Sequence, residues 1–266
     1  MKIDSQYNLR PVWDVLLDVY KQFVDVCEKS SLRHYVTGGT ALGAVRHGGF
    51  IPWDDDFDLI MPREDYIKFF TDAYHLLPVG FEARDFHTSK NFGNLGIGKI
   101  FVTDQNLVAK VSRASRLSFP NGLFIDIIPS DGMPKKCLPF MLWYVKKRIW
   151  NVIVWQPPKV VWRKAYYYIL RSLFALGKDQ QARMLAYEKW LSKWNYDSSP
   201  AVEDLNANYR RFKARAFKAK DFLPTQTVRF DKITVEVPSK VREFLTAIYG
   251  DWQKLPPESN RRPGHQ

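Results

Sequence analysis

The stretch GGTALGAVRHGGFIPWDDDFDLIMPREDY, residues 38–66, decides how the rest of the chain is read. Gly38 and Gly39 break a short strand expected at Arg33–Thr37, and Thr40–His47 then reads as a short helix. Phe57–Met61 reads as a strand inside an acidic run. Pro62 opens a second helix, with Tyr66, Phe69, Phe70 and Ala73 on its apolar face. Strand, glycine turn, helix and strand in that order point to an α/β catalytic half, joined by a helical insertion or subdomain.

The same stretch carries the chemistry. On a strand, Asp56 and Asp58 would send their carboxylates to one side, about 6 to 7 Å apart, close enough to share a divalent cation. Hard cations such as Mg²⁺, or Mn²⁺, take carboxylate oxygens and also bind substrate phosphates. The glycine turn, with Gly38, Gly39 and Thr40 opening a helix, would let backbone N–H groups approach a phosphate. Asp126, flanked by apolar residues in GLFIDIIPSDG, supplies a third carboxylate. Four acids in five residues (Asp54, Asp55, Asp56 and Asp58) between Trp53 and the apolar Leu59–Met61 would cost stability unless cations offset them.

Outward from this stretch, a first helix is expected from Pro11 to about Ser30, with Val12, Leu16, Val19, Phe23, Val26 and Cys27 at helical spacing. Further strands are expected at Gly96–Val102, Leu107–Val111 and Leu123–Ile128. Leu138–Lys220 reads as helical, interrupted by Pro157 and Pro158 and by Ser198–Pro200. Val228–Val237 reads as a hairpin around Asp231 and Lys232, and Ser239 is expected to cap a last helix ending near Gly250. The expected division is a catalytic core over 1–134, a basic, aromatic helical subdomain over 135–222, and a hairpin, helix and tail over 223–266 that return to the core.

The 266 residues allow one large domain or two small ones, and the 45% apolar content argues against disorder. Two cysteines, Cys27 and Cys137, cannot build a disulfide framework. With no apolar leader and no run long enough to cross a bilayer, a cytoplasmic protein is expected, with a peripheral place on the inner face of the membrane as an option. The net charge of +12 is unevenly spread. Residues 1–133 hold 14 basic and 17 acidic side chains, whereas Lys135–Lys220 holds 19 basic and 5 acidic ones among six tryptophans. The basic, aromatic run from Phe140 to Leu176 could be core helices with solvated edges, or a surface for anionic lipid. A non-enzymatic nucleic-acid-binding protein is the rival reading of the basic charge, but a dense Asp cluster would repel a phosphate backbone, so no nucleic-acid partner is expected.

The string at 38–66 resembles the signature of the LicD family, bacterial proteins that attach phosphocholine and related phospho-substituents to cell-surface glycans, with fukutin-like relatives in animals. KIFVTDQN at 99–106, GLFIDIIPSDGMP at 122–134 and YGDWQKLPPESNRRPGHQ at 249–266 match the same family. The resemblance implies a nucleotidyltransferase-like fold, a mixed sheet with flanking helices, whose glycine turn is Gly38 and Gly39, whose paired carboxylates are Asp56 and Asp58, and whose third carboxylate is Asp126. It implies a metal-dependent transfer of phosphocholine from CDP-choline to a sugar hydroxyl of a teichoic acid or other lipid-linked glycan precursor, with CMP leaving. CDP-ribitol, CDP-glycerol or a sugar-phosphate donor would serve the same fold. Arg46, His47 and Lys99 are candidates to contact the phosphates, with His47 alternatively a partner of Asp54 and Asp55. Trp53 is a candidate to face the choline, whose quaternary nitrogen offers no hydrogen bond. Tyr66 is expected to be core.

Overall fold

The computed structural model describes residues 8–90, 92, 96–134, 137–154, 168–169, 172, 179–202 and 217–263. Helix α1, Arg10–Ser30, begins one residue before the expected start and holds Pro11 in its first turn, where a proline gives up no helical hydrogen bond. It buries Val12, Leu16, Val19, Tyr20, Phe23, Val26 and Cys27 along one stripe. Strand β1 (Tyr35–Val36) leads through the glycines into α2 (Gly38–His47), and β2 (Asp58–Pro62) leads into α3 (Arg63–Lys68). After α3 the chain tightens through Phe69–Ala73 and Tyr74–Leu76 and enters β3 (Phe81–Arg84), a strand with no sequence signal. Strand β4 (Gly98–Val102), helix α4 (Gln105–Ser115), β5 (Phe124–Ser130) and the short β6 (Gly132–Met133) follow.

The strand expected at Leu107–Val111 is therefore part of a helix. Asp104 accepts hydrogen bonds from the backbone N–H groups of Asn106 and Leu107, an N-cap that commits the segment to helix. Val108, Val111 and Ser115 then fall on one buried face. The interrupted helical stretch contains α5 (Cys137–Val154) and α6 (Gln180–Leu191), and just after the break at Ser198–Pro200 it also contains the unexpected strand β7 (Ala201–Val202), which pairs with β6. Pro157 and Pro158 lie outside the described residues. Helix α7 (Ala219–Phe222) precedes the expected hairpin, β8 (Gln226–Phe230) and β9 (Ile233–Val237), and α8 (Val241–Tyr249) ends at Gly250 as expected, before a 3₁₀ turn at Glu258–Asn260. Ser239 does not cap α8. The N-cap is Lys240, and the Ser239 hydroxyl donates to the Lys220 carbonyl instead.

The main sheet has the order β1-β2-β5-β4-β3, with β2 and β5 parallel and the other neighbours antiparallel, so the fold is α/β with a mixed five-stranded sheet. Strand alternation sends Leu59, Met61, Ile125 and Ile127 to the face covered by α1, and Tyr35, Ile60 and Ile128 to the opposite face, against Tyr196, Phe222 and Phe244. Tyr66 is fully buried, as expected of a core residue, and its hydroxyl donates to Asp85.

A buried polar network joins α3, the end of β5 and α6. Arg63 grips Asp131 through two hydrogen bonds of 2.8 and 2.9 Å and reaches Glu188 at 3.1 Å. His87 bridges Asp85 at 2.6 Å and Glu188 at 2.8 Å. Burial alone would lower the His87 pKa, but the hydrogen bonds to Asp85 and Glu188 outweigh it and lift it to about 9. The charged and titratable groups around it are Asp85, Glu188, Tyr66, and Arg63 through Glu188. A histidine with a raised pKa stabilises the fold fully below its ordinary value and loses that contribution as pH rises through its folded value. Unfolding by denaturant should therefore show stability falling by roughly 2 kcal/mol between pH 6.5 and about 9. In His87→Gln the fall over this window should be smaller by about that amount, and a variant that kept the wild-type slope would assign it to another group.

Candidate active site

Strand register builds the centre of the site. Asp58 lies opposite Asp126 across the β2–β5 pair, Asp126 opposite Lys99 across β5–β4, and Lys99 opposite Arg84 across β4–β3. Residues directly opposite share a face, so two carboxylates and two cations form a row across four strands. The row is on the same face as Ile60 and Ile128, at the end of the sheet where β2 and β5 begin. The Lys99 ammonium is hydrogen-bonded to Asp126 and stands 3.5 Å from the centroid of the Phe124 ring. Arg84, which carried no sequence signal, is paired with Glu82 and stacks over Phe101.

The acidic run feeds this row. Strand β2 begins only at Asp58, so Asp56 precedes the strand instead of lying on it as expected. The extended chain nevertheless alternates: Asp54, Asp56 and Asp58 are half-buried, while Asp55 and Phe57 are buried between them. The three half-buried acids thus share a side, as the spacing predicted for Asp56 and Asp58. Burial, joined by the like charges of Asp56, Asp58 and Asp55, pushes the Asp54 carboxyl up to about 9. A hydrogen bond to Asp56 works in the same direction.

The neighbours of the run explain why it can sit there. The Trp13 indole N–H, on α1, donates to the Asp54 carbonyl at 2.7 Å, and its ring stacks on Phe50 at 5.2 Å. Gly38 has φ +54°, a left-handed conformation that glycine adopts at little cost. At Gly39, a Cβ would stand 2.5 Å from Asp54 Oδ2, so the second glycine leaves room for that carboxyl beside the start of α2. Thr40 Oγ1 accepts the backbone N–H of Asp58 at 2.9 Å, tying the helix start to the first residue of β2. The glycines and Thr40 are therefore brought to the carboxylates.

Arg46 and His47 lie at the other end of α2. The Arg46 guanidinium donates to the Trp252 carbonyl at 2.8 Å, which anchors the C-terminal tail. His47 meets the edge of Trp53 at 6.4 Å between ring centroids, and burial followed by the Arg46 charge lowers its pKa. Trp53 is half-buried, and the guanidinium carbon of Arg261, from the returning tail, lies 5.6 Å from its ring centroid. A cation thus already rests on the aromatic face adjacent to the acidic run. Arg261 was missed in the sequence, although it falls within the matched tail segment. Arg63 and Asp131 of the buried network also lie in motif segments, at PRED and IPSDG.

Among the described residues, no three His, Cys, Asp or Glu side chains converge as a ready-made metal cage. The donor set nevertheless fits a hard cation. A divalent ion would offset the like charges that add to burial in raising the Asp54 pKa, and its remaining positions could be filled by phosphate oxygens.

The α/β sheet thus presents a carboxylate row beside a glycine-led helix. Residues 31–168, just over half of the chain, match the family described as LicD/FKTN/FKRP, nucleotidyltransferase domain, and the chain belongs to that family. It is an enzyme of the phosphotransferase class, so the nucleic-acid-binding alternative is set aside. The chain is 26% identical over 271 residues to the lipopolysaccharide cholinephosphotransferase LicD of Haemophilus influenzae, covering 98% of this chain and 97% of that protein. A shorter match, 44% identical over 50 residues, is to the ribitol 5-phosphate transferase FKRP of mouse and human, covering 19% of this chain and 10% of those proteins.

Asp56→Asn preserves a hydrogen-bonding group toward Asp54 while removing one of the crowded charges. In chelator-treated protein it should raise unfolding stability by about 0.5 to 1 kcal/mol. A less stable variant would mean that the cluster is not under like-charge stress.

Proposed function

We propose that the chain transfers phosphocholine from CDP-choline to a hydroxyl of a cell-surface glycan precursor, such as a lipid-linked teichoic acid intermediate, releasing CMP. The observation that carries this reading is the row in which Asp58 and Asp126 stand beside Lys99 on one sheet face, next to Asp54 and Asp56. Asp56 and Asp58 would hold Mg²⁺, or Mn²⁺, which supplies neutralisation of the donor diphosphate when bound. Asp126 takes the proton as the acceptor oxygen bonds to the choline-bearing phosphorus, or serves as a third ligand. As that bond forms, the bond from this phosphorus to the bridging oxygen breaks and CMP departs with the electron pair. Lys99, already turned onto Asp126, lies where it can attract the donor's phosphate oxygens.

Choline is favoured over a neutral alcohol by Trp53. Its face accepts the Arg261 guanidinium, and the neighbouring carboxylates favour positive charge. A quaternary ammonium can take the place of Arg261 there. The second reading, a CDP-ribitol or CDP-glycerol donor, is supported by the match to the ribitol 5-phosphate transferase. A lipid-linked acceptor would place the enzyme at the inner face of the cell membrane.

CMP release measured with purified protein separates these readings. Asp58→Ala should lose activity by several orders of magnitude while unfolding normally, and near-normal turnover in a folded variant would remove the carboxylate pair from the mechanism. Trp53→Ala should raise the KM for CDP-choline about tenfold, from roughly 1 to 2 kcal/mol of cation–π attraction, and leave CDP-ribitol unaffected. Selective turnover of CDP-ribitol by the wild type would transfer the assignment to the second reading.

A further inference from the structure

Helix α5 turns an apolar face outward. Leu138, Met141, Leu142 and Val145 are 68, 56, 65 and 55% exposed, whereas Trp143 and Lys147 on the other side are buried. These four follow i, i+3, i+4, i+7 spacing, and Ile149 continues the line half-buried. At roughly 100° per residue, Met141, Val145, Leu138, Ile149 and Leu142 span an arc of about 100°, with Arg148 at one edge and Lys146 at the other.

Both flanking cations are exposed. Each also stacks on an aromatic ring, Lys146 over Trp190 at 5.3 Å and Arg148 over Tyr144 at 6.0 Å. The inward face is fixed by stacking of Trp143 on Trp190 and of Trp150 on Tyr187, both partners belonging to α6. The rotation of α5 is therefore set by its packing, and its apolar stripe is what remains outside. The region from Lys135 to Lys220 adds 19 basic against 5 acidic side chains.

We infer that α5 is a bilayer-docking helix, which lies in the interface of an anionic membrane with its stripe among the acyl chains and Lys146 and Arg148 on the headgroups. Charge chooses this occupant. Apolar residues between two cations, in a region of large positive excess, complement an anionic lipid surface and would repel a second copy of the same face. No helix among the described residues is long and apolar enough to cross a membrane, so α5 would lie along the surface. The reading rests on the lipid-linked acceptor only for its purpose, which is to bring the carboxylate row to a membrane-bound substrate.

Co-sedimentation of the full chain with vesicles tests this without donor or acceptor present, so its failure leaves the transfer reaction intact and a failed transfer assay leaves it intact. The wild type should bind vesicles of equal phosphatidylglycerol and phosphatidylcholine at low salt and not bind phosphatidylcholine alone. Leu142→Glu with Val145→Glu, both at exposed positions, should abolish binding while thermal unfolding stays unchanged. Lys146→Gln with Arg148→Gln should weaken it about 25-fold, from about fivefold for each cation near the surface. The inference is overturned if the wild type ignores the anionic vesicles or if the glutamate variant binds as well as the wild type. It is equally overturned if the wild type is a dimer that the glutamate variant converts to a monomer.

Discussion

Like charges crowded against an apolar sheet are the constraint around which this protein is arranged. Asp54, Asp56 and Asp58 share one side of an extended chain whose other side is buried through Asp55 and Phe57. Burial, together with that repulsion, pushes the Asp54 carboxyl up to about 9. Several unrelated features then have a common purpose. Gly39 leaves room for the Asp54 carboxyl, Trp13 holds the Asp54 backbone from α1, and Thr40 anchors the start of β2. Parallel pairing of β2 with β5 brings Asp126 into line, and antiparallel pairing with β4 sets Lys99 beside it. The divalent cation proposed above would relieve this crowding when bound.

The second organising contact is the buried network of Arg63, Asp131, Glu188, His87 and Asp85. It connects the strand end beyond Asp126 and the helix following Asp58 to α6. Buried ion pairs of this kind add little net stability over an apolar packing, but losing one partner is costly, so they hold elements in one relative position. Since α6 also carries the aromatic rings that orient α5, the network links the main sheet to the exposed apolar stripe through continuous contacts.

Much of this was legible in residues 38–66. The strand, glycine turn, helix and strand appear as read, and the same-side placement of Asp56 and Asp58 follows from a two-residue period that persists before β2 formally starts. What the sequence hid was mostly tertiary. Leu107–Val111 is a short, mostly apolar run that resembles a strand, and the side chain of Asp104, capping the next turn, commits it to helix. Strand β3 alternates Phe81 and Ala83 with exposed Glu82 and Arg84 over only four residues, too short a pattern to stand out without its register with β4. Arg46 looked like a phosphate contact because it follows the glycine turn. Ten residues of helix carry it to the opposite end, where it holds the tail that delivers Arg261 to Trp53.

The central claim is that the carboxylate row receives the donor diphosphate through a divalent cation. Titration calorimetry of CDP-choline against the wild-type chain, with Mg²⁺ and with chelator, addresses it directly. The account predicts that Mg²⁺ strengthens binding by at least about tenfold, equivalent to about 1.4 kcal/mol. Equal affinity in the two conditions would contradict it.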